Sequence, residues 1–225
     1  MRTGGFRAWG TTQKGLHKIQ NQDAYKITRY KRQLVAVVCD GLGSIKHSLE
    51  GSTKLCQAVC ETLKVFDFKK HDLSFFAPIL ASIWECQIFP RLAEECLSTL
   101  QMAIITDSKI YVGRVGDGMV AILGKQEEIL EKDKKGASAN YTTPFTKDVS
   151  ISWRVLDTKD IYGLFLCTDG ISEDLQPTRR LDFVKDFLKK CRQVKDPYKE
   201  AQIWLQKWPP LGHSDDKTLV AILKE

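Results

Sequence analysis

The chain has 225 residues, 43% of them apolar, and a formal net charge of +6. That length holds one large domain or two small ones with a sizeable core. No apolar run reaches the roughly 18 residues a membrane span needs. Lysines and arginines are interleaved with acids along the whole chain, so the charge describes a solvated surface and supports no nucleic-acid partner.

The first ten residues, MRTGGFRAWG, lack the apolar stretch of a signal peptide. The seven cysteines are odd in number and include no Cys-x-x-Cys pair. Buried free thiols in a reducing cytoplasm are therefore expected, not a disulfide or zinc framework. Arg32–Asp40 is a short β-branched run, hence a strand. Leu55, Ala58, Val59, Thr62, Leu63 and Phe66 then recur at helical spacing, with Ser48 as the expected N-cap. Phe75, Phe76, Ile79, Leu80, Ile83 and Trp84 repeat that spacing in a second helix. The stretch Thr99–Gly124 reads as strand, Asp-Ser-Lys turn, strand, Gly-Asp-Gly turn, strand, an antiparallel meander. VSISWRVLD and YGLFLCTD suggest a further strand pair. Leu181, Val184, Leu188 and Cys191 mark a third helix, Ala201, Trp204, Leu205 and Trp208 a fourth, and KTLVAILKE closes as a strand. Hairpins grouped apart from helices argue for packed antiparallel sheets covered by helices, and against a doubly wound parallel sheet. No linker divides the chain, so residues 1–225 are expected to form a single domain, with the polar stretch 127–148 as a flap or mobile loop.

Apolar runs end repeatedly on an acid. Candidates are Asp23 in NQDAY, Asp40 in VCDGLGS, Asp117 in VGDGM, Asp169 in CTDGIS, and Asp215 and Asp216 in HSDDKT. An isolated Asp-Gly is usually a turn. Several carboxylates converging from different strand ends instead make a hard, oxygen-rich pocket that suits magnesium or manganese.

Taken in order, these stretches resemble the metal-dependent protein phosphatases, the type 2C serine/threonine family, in a bacterial form. GLHKIQNQDAY resembles the opening motif, VCDGLGS the Asp-Gly-x-Gly-Gly motif, and VGDGM Gly-Asp-Ser-Arg. LCTDGISEDL resembles Ser-Asp-Gly-Leu, and SDDKTLVAIL the closing Asp-Asn/Asp-x-Thr strand. The resemblance implies an α+β fold, a four-layer α-β-β-α sandwich with metals at one end. It implies hydrolysis of phosphoserine or phosphothreonine in proteins modified by a serine/threonine kinase, by a monomer. It assigns Asp40 to bridge two Mn2+ or Mg2+ ions, with the Gly41 carbonyl on one of them and Asp169 and Asp215 completing the pair. Asp23 ligates a metal or orients a water on it, and Asp117 with Asp169 holds a third, weaker ion. Two metals about 3.5–4 Å apart lower the pKa of a bridging water and neutralise phosphoryl oxygens.

Lys18 occupies the place where the family commonly sets an arginine on the substrate phosphate, which keeps the charge but loses the bidentate fork. Leu42 stands where some members carry a histidine as leaving-group acid, so that proton falls to a water on the metal, to His17 or to His213. Gly118 and Met119 replace Ser-Arg beside Asp117, removing its local support. An alternative is a phosphatase-like module that binds phosphoprotein without turning it over; retention of Asp40, Asp169 and Asp215 speaks against it. A hydrolase with an aspartyl nucleophile favours Asp-x-Asp at the first strand end, where Leu42 takes the second acid's place.

Overall fold

In Gln33–Asp40 the residues from Leu34 to Cys39 are all buried, and the pleat sorts them. Leu34, Ala36 and Val38 face one apolar cluster, while Val35, Val37 and Cys39 face another. A strand buried on both faces needs a cover on each side, and the architecture supplies it. These positions come from a computed structural model, which describes residues 5–131, 142–209 and 214–225.

The strands are β1 (Phe6–Gln13), β2 (Asp23–Tyr30), β3 (Gln33–Asp40), β4 (Leu100–Ile105) and β5 (Lys109–Val115). Then come β6 (Met119–Gly124), β7 (Glu128–Leu130), β8 (Ser152–Asp157), β9 (Ile161–Cys167) and β10 (Lys217–Lys224). The helices are α1 (Ser48–Val65), α2 (Phe76–Ile88), α3 (Asp169–Ser172), α4 (Arg180–Gln193) and α5 (Pro197–Gln206). Two five-stranded sheets form, in the orders β1-β10-β9-β6-β7 and β2-β3-β4-β5-β8, with every pairing antiparallel. Leu34, Ala103, Val120, Leu164, Val220 and their neighbours pack between the sheets. Helices α1 and α2 cover the outer face of the second sheet through Leu55, Val59, Leu80 and Trp84. Helices α4 and α5 cover the outer face of the first through Val184, Phe187, Leu188 and Leu205. The result is the four-layer α-β-β-α order, in an α+β chain. Among the described residues no helix is long and apolar enough to cross a membrane.

The expected meander over Thr99–Gly124 is half right. β4 and β5 pair as a hairpin, Leu100 opposite Val115, but β6 belongs to the other sheet. The Gly116-Asp117-Gly118 segment carries the chain across the sandwich instead of reversing it within one sheet. Both flanking strands are apolar on the faces that meet between the layers, so short-range pattern leaves the choice of sheet undecided. β8 and β9 are likewise not a pair. β8 borders β5, with Ile110 opposite Leu156, and one helical turn at Thr158–Asp160 leads across to β9. Ser48 is not the cap of α1: His47 holds that position, and the buried Ser48 hydroxyl accepts a hydrogen bond from Gln22 Nε2 at 2.6 Å. β1, β2 and β7 escaped the sequence reading because their patterns mix polar and apolar positions. Of the expected flap, residues 132–141 lie outside the described residues, while β7 pairs with β6 and Phe145 packs on Trp84.

Candidate metal centre

Five strand ends meet at one edge of the sandwich. Asp23 opens β2 and Asp40 closes β3, as direct cross-strand neighbours. Asp117 lies in the crossing from β5 to β6, Asp169 begins α3 after β9, and Asp215 precedes β10. Asp40, Asp117 and Asp169 can each offer one oxygen to a group in which all three atoms lie within 4.8 Å of one another.

The donor set fits a hard divalent cation. Asp117 Oδ1, Asp169 Oδ1 and Asp23 Oδ1 are buried and accept no hydrogen bond. Such oxygens carry a desolvation cost that a bound cation offsets. The same cost appears in their acidity. Burial first, then the charges of Asp23 and Asp169, pushes Asp40 well above the usual carboxylate range. Burial outweighs the hydrogen bonds of Thr218 and Thr168 to raise Asp23 to about 7. Asp169 rises to about 6 through burial and the nearby charge of Asp117.

The glycines after Asp40 and Asp169 are set by close backbone approach, not by exposed turns as the Asp-Gly pattern suggests. A Cβ on the buried Gly41 would stand 2.6 Å from the Ser48 carbonyl oxygen and 2.8 Å from that of Gln22. On Gly170 it would stand 2.0 Å from the Asp216 carbonyl oxygen. Only glycine lets these segments touch, and their contact brings the acid-bearing ends together. Gly41 also donates its N–H to the Gln22 carbonyl at 3.1 Å, tying the Asp40 end to the Asp23 end.

Lys18 lies on the loop between β1 and β2, and its ammonium pairs with Asp215 Oδ1 at 2.7 Å. Burial alone would lower its pKa, but the hydrogen bond to Asp215 and the charges of Asp215, Asp216 and Asp40 raise it, so the lysine is a fixed cation. Asp215 stands at the rim, 47% exposed, and the compact group of three acids does not include it. Asp216 has a different task. It is buried, and its carboxylate accepts the Gly15 N–H at 2.9 Å and the Gln22 N–H at 2.8 Å, clamping both ends of the loop that carries Lys18.

Several supporting residues went unnoticed in the sequence. Asp40 N–H donates to Thr99 Oγ1 at 3.1 Å, and Ser98 Oγ donates to the Asp40 carbonyl at 2.9 Å. Thr168 Oγ1 donates to Asp23 Oδ2 at 2.9 Å. The expected loss of support at Asp117 is corrected: Thr142 hydrogen-bonds its carboxylate, and Arg114 Nη1 donates to the Gly116 and Gly118 carbonyls at 3.0 and 3.1 Å. Arg180, 4% exposed, donates from Nε and Nη2 to the Ser172 carbonyl at the end of α3, and pairs with Glu131. Thr168 adjoins Asp169 and Arg114 lies three residues before Asp117, which is the only local signal for either. His17 is exposed on the Lys18 loop, and His213 lies outside the described residues.

Comparisons with known proteins bear on the fold and the family. A family model described as protein phosphatase 2C matches residues 14–208. A Mycoplasma genitalium protein named "Putative protein phosphatase" is 30% identical over 141 residues. That match spans 55% of this chain and 53%, about half, of the relative's length. Serine/threonine phosphatase Stp1 from Staphylococcus aureus superposes with a TM-score of 0.72 at 17% identity, over 98% of this chain and 95% of that one. The S. agalactiae serine/threonine phosphatase gives 0.71 at 15% identity, over 98% of this chain and all of that one (100%). Structural likeness at these identities speaks for the fold, and the family match covers most of the sequence and every acidic segment but the last: the chain belongs to the protein phosphatase 2C family.

Proposed function

We propose that the chain is a metal-dependent protein serine/threonine phosphatase, a single domain that hydrolyses phosphoserine and phosphothreonine in proteins phosphorylated by a serine/threonine kinase. The observation that carries this reading is the convergence of Asp40, Asp117 and Asp169 from both sheets, with buried carboxylate oxygens that have no donor. In this reading Asp40, the Gly41 carbonyl, Asp169 and Asp215 would hold two Mn2+ or Mg2+ ions, Asp23 would ligate a metal or orient a water on it, and Asp117 with Asp169 would hold a third, weaker ion. When bound, the ions supply a water of lowered pKa as nucleophile and neutralise the phosphoryl oxygens.

The chain's own groups do the positioning. The two sheets hold the carboxylates against their mutual repulsion, so the site is preorganised for cations before substrate arrives. Asp215 uses Oδ1 for both Lys18 and the Asp216 N–H, which leaves Oδ2 to face a cation. Lys18, paired with Asp215 at the rim, would bind an oxygen of the substrate phosphate as a point charge.

The test is hydrolysis of a small aryl phosphate and a phosphothreonine peptide by the purified protein. Activity should require added Mn2+ or Mg2+, disappear with EDTA, and persist with thiol-directed inhibitors of cysteine phosphatases. Undiminished hydrolysis in EDTA contradicts the reading.

A further inference from the structure

Beside the acid cluster, a groove of about 550 Å³ runs between the 14–22 loop and the 43–46 segment. Its lining includes His17, Lys18, Gln20, Gln22, Ser44 and Lys46, and no carboxylate. Lys18 reaches across it, with Nζ only 3.5 Å from where a Cβ on Gly43 would stand. Gly43 itself is exposed and leaves the floor bare of side chain. Lys14, on the same loop, is hydrogen-bonded to the Lys18 carbonyl. Ile19 is fully exposed (100%) and Leu16 largely so (56%), which leaves apolar surface on the same loop.

We infer that this groove binds the polypeptide flanking the phosphoresidue and selects acidic residues there. The inference rests on the phosphatase reading above for the position of the phosphoresidue. The groove's walls are the loop that leads into Asp23 and the segment that follows Asp40, so a phosphate at the cluster has the neighbouring chain beside them. An extended chain advances about 3.3–3.6 Å per residue, so a groove beside the cluster is met by the residues that directly flank the phosphoresidue. Asp215 already engages Lys18, so the remaining cation of the lining is Lys46. A cleft whose lining carries lysine and no carboxylate favours carboxylate side chains and disfavours lysine or arginine at the same positions. The exposed Ile19 and Leu16 give the bound chain an apolar edge to cover.

The experiment compares phosphothreonine peptides carrying glutamate, alanine or lysine at the three positions on either side. An aryl phosphate, which has no flanking residues, serves as reference. Exposed charge contacts are each worth up to about 1 kcal/mol, so kcat/KM should fall roughly tenfold from the glutamate to the lysine series at low salt. Lys46→Glu should compress or invert that order while leaving hydrolysis of the aryl phosphate unchanged, and added salt should erase the discrimination in the parent protein. Fluorescence anisotropy of the same labelled peptides reads the preference as affinity without turnover, so a failure of the phosphatase reading shows as no hydrolysis with the binding order intact. Equal kcat/KM and equal affinity across the three series overturn the inference, as does a Lys46→Glu protein that discriminates like its parent.

Discussion

Removing the Asp216 carboxylate tests how the Lys18 loop is held. It accepts two backbone N–H groups, from Gly15 at 2.9 Å and Gln22 at 2.8 Å, at a site only 3% exposed. Hydrogen bonds to a charged acceptor contribute about 1.5–3 kcal/mol each, and a buried donor left unpaired costs a similar amount. Asp216→Ala should therefore destabilise the protein by about 3–5 kcal/mol, reduced slightly because Asp216 also repels Asp23. Asp216→Asn removes the same charge but keeps one acceptor oxygen, so it should lose only about half as much. Urea unfolding measures both, and at about 2–4 °C per kcal/mol the alanine variant should melt roughly 6–20 °C lower. The ratio of the two losses isolates the hydrogen bonds from the charge. Equal midpoints for Asp216→Ala and the parent would refute the clamp.

Further outcomes follow from the same geometry. Lys18→Ala should lower kcat/KM by one to two orders of magnitude, the worth of a charged contact of roughly 1.5–3 kcal/mol to phosphate, while metal affinity in calorimetry stays within a few fold; unchanged kinetics return Lys18 to the role of an ion-pair partner of Asp215. Asp117→Ala should keep the fold and tight metal binding but lower kcat and remove a low-affinity phase from the Mn2+ dependence of rate; loss of tight binding places Asp117 in the core pair instead. The metal-free protein should lose stability as pH rises. Asp23 and Asp169 titrate near 7 and 6 in the folded chain against about 4 when unfolded, so folding takes up protons between pH 4 and 7 and the advantage is gone above that window. Thermal melting in EDTA from pH 5 to 8 reads this; Asp23→Asn should flatten the slope, Mn2+ should restore stability at the upper end, and a slope unchanged in Asp23→Asn contradicts the assignment.

Much of this was legible in the chain because it is local. The unbroken apolar run Leu34–Cys39 announces a strand covered on both sides, and Asp-Gly after it announces the strand's end. Why the glycine is needed was not legible: Ser48 and Gln22 are distant in sequence from Gly41, and their approach exists only once α1 docks. Nor was the assignment of β6 and β9 to a sheet other than that of β5 and β8, since apolar residues of strands in both sheets pack into the same layer between them. Asp215 and Asp216 look alike on paper. They take different partners in the fold: Asp215 pairs with Lys18, and Asp216 accepts backbone N–H groups of the 15–22 loop. Arg180 reads as an ordinary helix-surface residue, yet it is buried because the end of α3, eight residues earlier in the chain, offers it the Ser172 carbonyl.

The central claim is that the converging acids form a metal centre required for phosphoester hydrolysis, and one paired measurement tests it most directly. Mn2+ binding by calorimetry and hydrolysis of a phosphothreonine peptide are followed on the same preparations of parent protein and Asp40→Asn. Asp40 is the acid in contact with both the Asp23 and the Asp169 sides of the cluster. The account predicts that the parent binds Mn2+ and turns over only when loaded, while Asp40→Asn remains folded, loses tight binding and loses nearly all activity. Tight Mn2+ binding with full activity in Asp40→Asn would contradict it.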